Sequence, residues 1–350
     1  MEQGWSERLL EISSPYVISY LRRRMDKNPA HADLLWRYYA HHHNYLEAAS
    51  VQLLLAKGGF ALNLETRIGY LSRARTNASI RTTSILDAQQ SRQQLLREIS
   101  DLLDVANIQD DILERMKSEP RLSEERRPQV IQALDGQILA LAELFNQYAD
   151  QAGYYDICIL AYNVGDHRNP ADISATWQNL IEQTHAEADA IDGPGPIPFE
   201  AVALKVRSLG ARLNRAEATF PVPILLPMLE RYALEHQRGL GPAHWVLDTF
   251  LELETPPESL LPVLEQMYYS AEAPFDQARN RRIIASEIVY LTGQWFLASE
   301  RRGEAAPFGS EDVAAGVEEV LAQLVRQGDV DDESRDTVAL LRTRITAALR

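Results

Sequence analysis

The chain has 350 residues, with 35 lysines and arginines against 50 aspartates and glutamates, which gives a formal net charge of −15 at pH 7. Such an acidic surface repels phosphate backbones, so no direct nucleic-acid partner is expected. A single cysteine, Cys158, excludes an internal disulfide framework and is typical of a reducing compartment. The sequence contains neither an apolar run of about 20 residues nor a signal-peptide pattern, so it predicts a soluble intracellular chain without a transmembrane segment.

A helical hairpin is predicted within residues 31–78. Apolar and aromatic residues recur there in alternating steps of three and four, a spacing that places them on one face of a helix. Asn44 interrupts the pattern where a tight turn is expected, and Gly58 with Gly59 is predicted to end the second helix in the left-handed conformation. Asn63 is predicted to open a third helix. The recurring positions are Leu35, Tyr39, His42, Leu46, Ala49, Leu53 and Ala56.

The remaining segments also predict helices. Ser14 and Pro15 are suited to a helix start, and two long helices, Ser91 to Lys117 and Pro128 to Ala149, are predicted to pack antiparallel. No window alternates with period two over strand length, so no sheet is predicted. The other helices are predicted near residues 154–162, 170–190, 199–217, 223–238, 242–253, 257–272, 276–300, 309–327 and 331–348. The pattern by itself indicates an all-α protein.

The opening hairpin also carries a family resemblance. Its matching residues are Tyr45 to Ala49 on the second helix and Arg67 to Ala78 on the third. Together with four later segments, they resemble the C-terminal region of the non-repetitive/WGA-negative nucleoporins, most strongly over residues 31–80. These are large inner-ring scaffold nucleoporins with an N-terminal β-propeller and a C-terminal α-solenoid. The later segments follow in the order of the family: residues 102–109, 144–149, 175–182 and 204–207.

This resemblance implies an irregular α-solenoid of stacked antiparallel helical hairpins. Residues 1–191 would form its N-terminal half, residues 192–198 a Pro/Gly-rich connection, and residues 199–350 its C-terminal half. A density of breakers too high for a helix supports the connection. Because the spacing between hairpins is irregular, a fixed-period repeat array is not predicted.

The resemblance also implies a function: a non-enzymatic scaffold of the nuclear pore complex at the nuclear envelope, which supports pore assembly and nucleocytoplasmic transport of protein and mRNA. The implied partners are other nucleoporins, including a linker nucleoporin that bears GLFG-type repeats and a membrane-associated linker. Membrane association is expected to be indirect, because the propeller through which the family is thought to touch membrane is not found in this sequence.

Catalytic and metal-binding patterns are missing from the sequence. His41, His42 and His43 are consecutive on a predicted helix, so their side chains point about 100° apart and cannot converge on one ion. Phosphate-loop, nucleophile-elbow and dinucleotide-binding signatures are not found, and no carboxylate is recognised in an apolar setting that would raise its pKa. We therefore expect no catalytic residue, metal or cofactor. Pairing with carboxylates is favoured over a basic stripe for the arginines on the third helix and its exit: Arg67, Arg73, Arg75 and Arg81.

Surplus apolar surface in the second half provides the candidate partner-binding residues, Trp245, Phe250, Tyr268 and Tyr269. Trp245 and Phe250 are five residues apart, which separates them by about 140° around a helix. One of the two is therefore a candidate to face a groove for a partner peptide, and Tyr268 and Tyr269 cannot both face inward. The alternative is a helix buried on both sides in a stack.

Two other functions are compatible with the residues alone. A helical-repeat adaptor of a vesicle-coat-like complex shares the local hairpin pattern, and a helical enzyme of unknown chemistry is the weaker alternative. An N-terminal propeller in the full-length protein would distinguish the nucleoporin from the adaptor.

Overall fold

A computed structural model describes residues 8–80, 86–191, 197–214, 216–236, 242–304, 306–330 and 332–348. These residues form helices and connecting turns and contain no β-strand, which confirms the predicted all-α class for the described part of the chain. The chain divides into two compact units, Met1–Asp166 and His167–Arg350. Among the described residues, no helix combines the length and apolar character that crossing a bilayer requires.

The first unit is a series of helical hairpins. Helices α1 to α5 each pack against the next helix in the chain, and α9 packs against the long helix α5. Leu53, in the centre of the predicted apolar stripe, is 7% exposed, so its predicted burial is confirmed. The helices are α1 (Pro15–Met25), α2 (Pro29–His41), α3 (Tyr45–Lys57), α4 (Leu64–Ser79), α5 (Leu86–Ser118), α6 (Arg127–Leu134), α7 (Leu141–Leu144), the π-helical turn Phe145–Ala149, α8 (Asp150–Ala152) and α9 (Tyr155–Val164).

The second unit is also built from packed helices. Helix α10 packs against α11 and α12, α14 packs against α12 and α15, and α17 packs against α15 and α16. The helices are α10 (Pro170–Asp189), α11 (Pro198–Arg212), α12 (Val222–His236), α13 (Trp245–Glu252), α14 (Pro257–Tyr268), α15 (Ala278–Arg302), the 3-10 turn Pro307–Gly309, α16 (Glu311–Gln327) and α17 (Asp332–Ala348). The predicted connection at 192–198 falls mostly outside the described residues and stays a prediction.

Side-chain caps begin several of these helices where the sequence predicts a start. The Ser14 hydroxyl accepts a hydrogen bond from the Tyr16 N–H, and Pro15 occupies the first helical position, which needs no N–H donor. Asn63 Oδ1 accepts a hydrogen bond from the Thr66 N–H at 3.0 Å, which begins α4 as predicted.

Gly58 ends α3 by a mechanism different from the predicted one. Its backbone is extended, with φ −66° and ψ 157°, so the left-handed conformation is not used. A Cβ atom at this position would stand 2.7 Å from the Phe60 ring and 2.9 Å from the Leu54 carbonyl oxygen, so the close approach of these groups favours glycine. The left-handed residue of the opening hairpin is His43, with φ 60°, immediately before Asn44.

The predicted long helix Pro128 to Ala149 is wrong. Helix α6 ends at Leu134, and the chain turns before α7 begins at Leu141. The buried Gln109 side chain stabilises this break: it donates to the carbonyls of Leu134 and Gln137, at 2.7 and 2.9 Å, and accepts from the Leu139 N–H at 2.7 Å. Buried backbone groups that leave a helix need such partners. In the same break, Asp135 Oδ1 accepts a hydrogen bond from the Leu64 N–H at the start of α4.

Within the part of the chain that the structure describes, Arg67 neither pairs with a carboxylate nor belongs to an exposed basic stripe, the two alternatives that the sequence offers for the arginines of α4. It is 1% exposed, and its guanidinium donates to the carbonyls of Ala56, Gly58 and Phe60 at 2.7 to 2.8 Å and to that of Leu62 at 3.3 Å. These carbonyls belong to the end of α3 and the following loop. The carbonyl end of a helix attracts positive charge, so backbone oxygens replace the expected carboxylates. Arg73 is exposed, and Arg81 lies outside the described residues.

Candidate functional site

Trp245 and Phe250, the first two predicted partner-binding residues, lie on α13 and are both buried. The Trp245 ring is 5% exposed and packs against Phe199 of α11 and Tyr232 of α12, with ring centroids 5.8 and 6.1 Å away. Phe250 is fully buried against Phe220, at 5.8 Å. The structure exposes neither ring, so the alternative of a helix buried on both sides describes α13. The partner-binding role of these residues stays a prediction.

Tyr268 and Tyr269 face different directions at the end of α14. Tyr268 is 1% exposed, and its hydroxyl contacts Gln327 Oε1 at 2.5 Å and Asp329 Oδ2 at 2.9 Å. Burial, followed by the contact with Asp329, raises the pKa of Tyr268. Tyr269 is 54% exposed and donates a hydrogen bond to Gln323 of α16. Of the four predicted residues, Tyr269 is the one whose ring a partner can reach without rearrangement.

A group of acidic and aromatic side chains that the sequence analysis did not identify lies between α12, the start of α13 and α15. Glu230 of α12 and Glu287 of α15 are each 2% exposed. Glu287 Oε2 is in ion-pair contact with His244 Nδ1 at 3.1 Å. The His244 ring stacks on Tyr290, with centroids 4.1 Å apart and planes inclined by 8°.

Both buried carboxyls border a cavity of about 660 Å³, which we call the acidic cavity. Burial is the first cause that raises the pKa of each carboxyl well above its usual range; Glu287 adds to this for Glu230, and Asp248 adds to it for Glu287. The expectation that no carboxylate has an apolar setting that raises its pKa is therefore wrong. The other residues that line the cavity are Ala233, Leu234, Glu235, Ala243, Val246, Arg279, Asn280 and Ile283.

A signal for this cavity is present in the helix pattern. Glu287 lies three residues after Ile284 and four before Leu291, both fully buried, so it occupies a core position of α15. Glu230 likewise lies four residues after the buried Leu226 of α12. An acidic residue at a helix position that faces the core indicates a polar site there. Neither glutamate belongs to a recognisable motif, so the helix period is the signal that identifies them.

A second cavity, of about 500 Å³, lies in the first unit beside the π-helical turn and is lined in part by Glu119, Arg121 and Tyr148. Its buried acid is well paired: Glu119 accepts hydrogen bonds from Arg121 and Tyr154, which together lower its pKa to about 2. This carboxylate has no unmet requirement for a ligand. Among the described residues, no group of three or more acidic, histidine or cysteine side chains is arranged to hold a metal ion.

The family of the chain follows from comparison with known proteins. Residues 1–336 match the family model described as non-repetitive/WGA-negative nucleoporin C-terminal. The chain belongs to this family. Its members are structural nucleoporins, components of the nuclear pore complex at the nuclear envelope. Membership does not favour the vesicle-coat-like adaptor.

Individual family members are similar over most of the chain. Nucleoporin NUP170 of Chaetomium thermophilum is 38% identical over 351 residues, covering 93% of this chain and 24% of that protein. A nucleoporin of Schizosaccharomyces pombe is 36% identical over 303 residues, covering 87% of this chain and 23% of that protein. The chain therefore spans about a quarter of the length of these relatives.

A solved structure confirms the fold class. The crystal structure of the C. thermophilum Nup170 CTD in complex with Nup145N superposes with a TM-score of 0.85 at 35% identity, covering 100% of this chain and 69% of that chain. Neighbours of this kind are helical solenoids, so the predicted irregular α-solenoid of stacked helical hairpins is confirmed.

Proposed function

We propose that this chain is a non-enzymatic scaffold of the inner ring of the nuclear pore complex and that it binds short linear segments of other nucleoporins. The observation that carries the proposal is the similarity, over the whole chain, to the Nup170 CTD that was crystallised with Nup145N. A stack of helical hairpins presents a long surface to a segment that is disordered when free. Such a segment loses conformational entropy on binding, so a few anchor side chains must supply most of the affinity.

The proposed partner is the counterpart of Nup145N, which would be the GLFG-bearing linker implied by the family resemblance; a membrane-associated linker is the second candidate. Tyr269 is the proposed anchor on this chain. Its ring is half exposed at the end of α14, and its hydroxyl donates a hydrogen bond to Gln323 of α16. Val325, two residues after Gln323 on α16, is also exposed. Exposed tyrosines are common anchors, since they combine a large apolar ring with a hydrogen-bonding hydroxyl.

Isothermal titration calorimetry of the purified chain with the Nup145N counterpart from the same species tests this function. We expect saturable binding, which Tyr269→Ala weakens about thirtyfold, the loss typical of a hot-spot side chain. Tyr20→Ala is the matched control, because Tyr20 is 51% exposed but lies on α1 in the other unit, and it should change the affinity less than about twofold.

The two parts of the proposal fail separately. If the wild-type chain does not bind the counterpart of Nup145N, the partner class is contradicted. If the wild type binds and Tyr269→Ala binds equally well, the partner class stands and Tyr269 is not an anchor.

A further inference from the structure

The acidic cavity holds two carboxyl groups in a setting that disfavours their charge. Glu230 and Glu287 are each only 2% exposed, and both line the cavity. A carboxylate removed from water is strongly disfavoured unless a cation or several hydrogen-bond donors replace the lost hydration. Two carboxyls facing one cavity increase this requirement, because each opposes the ionisation of the other.

The described residues do not meet that requirement. Glu230 Oε1 is buried and has no hydrogen-bond partner among them. Glu287 has the ion-pair contact with His244, whose ring is held flat against Tyr290. Arg279 lines the cavity at its exposed end and pairs with neither carboxyl. Burial is the first cause of the raised pKa of both carboxyls, and His244 offsets it only in part for Glu230.

The volume and lining of the cavity suit a long side chain that carries a positive charge at its tip. Its volume of about 660 Å³ is in the range of ligand pockets. Ala233, Leu234 and Val246 provide apolar wall, against which a methylene stem can pack. The two carboxyls lie at the buried end, whereas Glu235 and Ile283 border it where the protein is exposed to solvent.

We propose that the acidic cavity binds an arginine side chain of an extended partner segment, with Glu230 and Glu287 as the acceptors of its guanidinium. Arginine fits better than lysine, because its guanidinium remains charged when buried and offers several donors in one plane to carboxylate oxygens. The inference rests on the proposed function in one respect, namely that the occupant belongs to a protein segment. The chain's net charge of −15 favours the approach of a basic segment.

A peptide library with one fixed position tests the arginine directly. Five-residue peptides, acetylated and amidated, carry arginine, lysine or citrulline at the middle position and mixed residues elsewhere. Citrulline is the matched neutral analogue, since it keeps the length and shape of arginine without its charge. Retention of each library on the immobilised wild-type chain is measured by mass spectrometry. We expect the arginine library to be retained at least about tenfold more than the citrulline library and more than the lysine library.

Charge-neutral variants then locate the binding. Glu230→Gln and Glu287→Gln keep the volume of the side chain and should each abolish the preference for arginine over citrulline. Glu258→Gln removes the same charge from the exposed start of α14 and should keep that preference. Equal retention of arginine and citrulline by the wild type overturns the proposal, and this comparison needs no variant to fold. A preference that survives both cavity variants, or a stronger retention of lysine, overturns it as well.

The complex with the Nup145N counterpart separates this inference from the proposed function. If that protein binds the wild type and both cavity variants equally, and the arginine library is not preferred, the acidic cavity is not an arginine site and the scaffold function stands. If that protein does not bind while the arginine library is retained through Glu230 and Glu287, the partner class is wrong and the cavity assignment stands.

Discussion

Arg67 shows how one buried charge stabilises an irregular stretch of backbone. Its guanidinium reaches four carbonyl oxygens between Ala56 and Leu62, and no carboxylate of the described residues takes part. Burial lowers the pKa of Arg67, but an arginine keeps its charge in a protein. The partial negative charge at the end of α3 therefore takes the place of a counter-ion.

Replacing Arg67 by methionine should destabilise the chain by about 3 kcal/mol or more, because one buried and three partly buried carbonyls lose their donor while the apolar stem is kept. Arg73→Met is the matched control: Arg73 is exposed on the same helix, and its replacement should change the free energy of unfolding by less than about 0.5 kcal/mol. Urea denaturation followed by circular dichroism measures both. Equal stability of the two variants would contradict the role given to the carbonyl contacts.

The burial and contacts of individual side chains could be predicted from the sequence only where the helix period determines them. Leu53 is central to an apolar stripe, and its burial followed directly from that pattern. Arg67 could not be identified in this way, since its acceptors are backbone oxygens, which every sequence supplies. Glu230 and Glu287 are an intermediate case: their register places them in the core, but that α12 and α15 border the same cavity depends on tertiary packing.

The buried Gln109 side chain of α5, like Arg67, stabilises irregular backbone, in this case the break that follows α6. The residues after Leu134 continue an apolar helical pattern, and this pattern predicts one helix from Pro128 to Ala149. The structure instead breaks the helix and satisfies the freed backbone groups with the Gln109 amide, which is itself fully buried. Here a long-range hydrogen bond overrides local periodicity, and a sequence pattern contains no information about such a partner.

Gln109→Leu should destabilise the chain by about 2 kcal/mol or more, because the buried Leu134 carbonyl and two partly buried backbone groups, the Gln137 carbonyl and the Leu139 N–H, lose their partner. Amide hydrogen exchange should locate the effect, with faster exchange at the Leu139 N–H, which donates to Gln109 Oε1. Gln93→Leu, at an exposed position of the same helix, is the control and should leave that amide protected. Unchanged exchange at Leu139 in Gln109→Leu would show that the break does not depend on this amide.

Helix α13 shows why surplus apolar surface on a helix is a weak indicator of a groove. Trp245 and Phe250 are on different faces, as their spacing requires, but α13 is short and packs against both α11 and α12. A helix covered on two sides has no need of a single apolar stripe. The sequence correctly predicted a wide apolar arc on α13. It does not indicate which helices cover that arc, since their positions depend on the tertiary fold.

For the chain as a whole, the sequence and the packing suggest different points of division. The breakers at 192–198 predict a boundary there, whereas the compact units divide after Asp166. Helix α10 precedes the predicted connection but packs on helices that follow it. Its Trp177 is fully buried, donates from Nε1 to the Thr219 carbonyl at 2.9 Å and lies against Phe220, and its His185 contacts the Tyr232 hydroxyl at 2.8 Å.

Two fragments distinguish these boundaries. We expect fragment 167–350 to unfold in one cooperative transition, because it keeps α10 with its neighbours. Fragment 199–350 lacks Trp177 and exposes the apolar surface around Phe220, so it should be less stable by about 3 kcal/mol or more, the range measured when a buried tryptophan or phenylalanine is lost. Urea denaturation of both fragments, followed by circular dichroism, gives the comparison. If fragment 199–350 is as stable as fragment 167–350, α10 contributes nothing to that unit and residues 192–198 form the boundary that the sequence predicts.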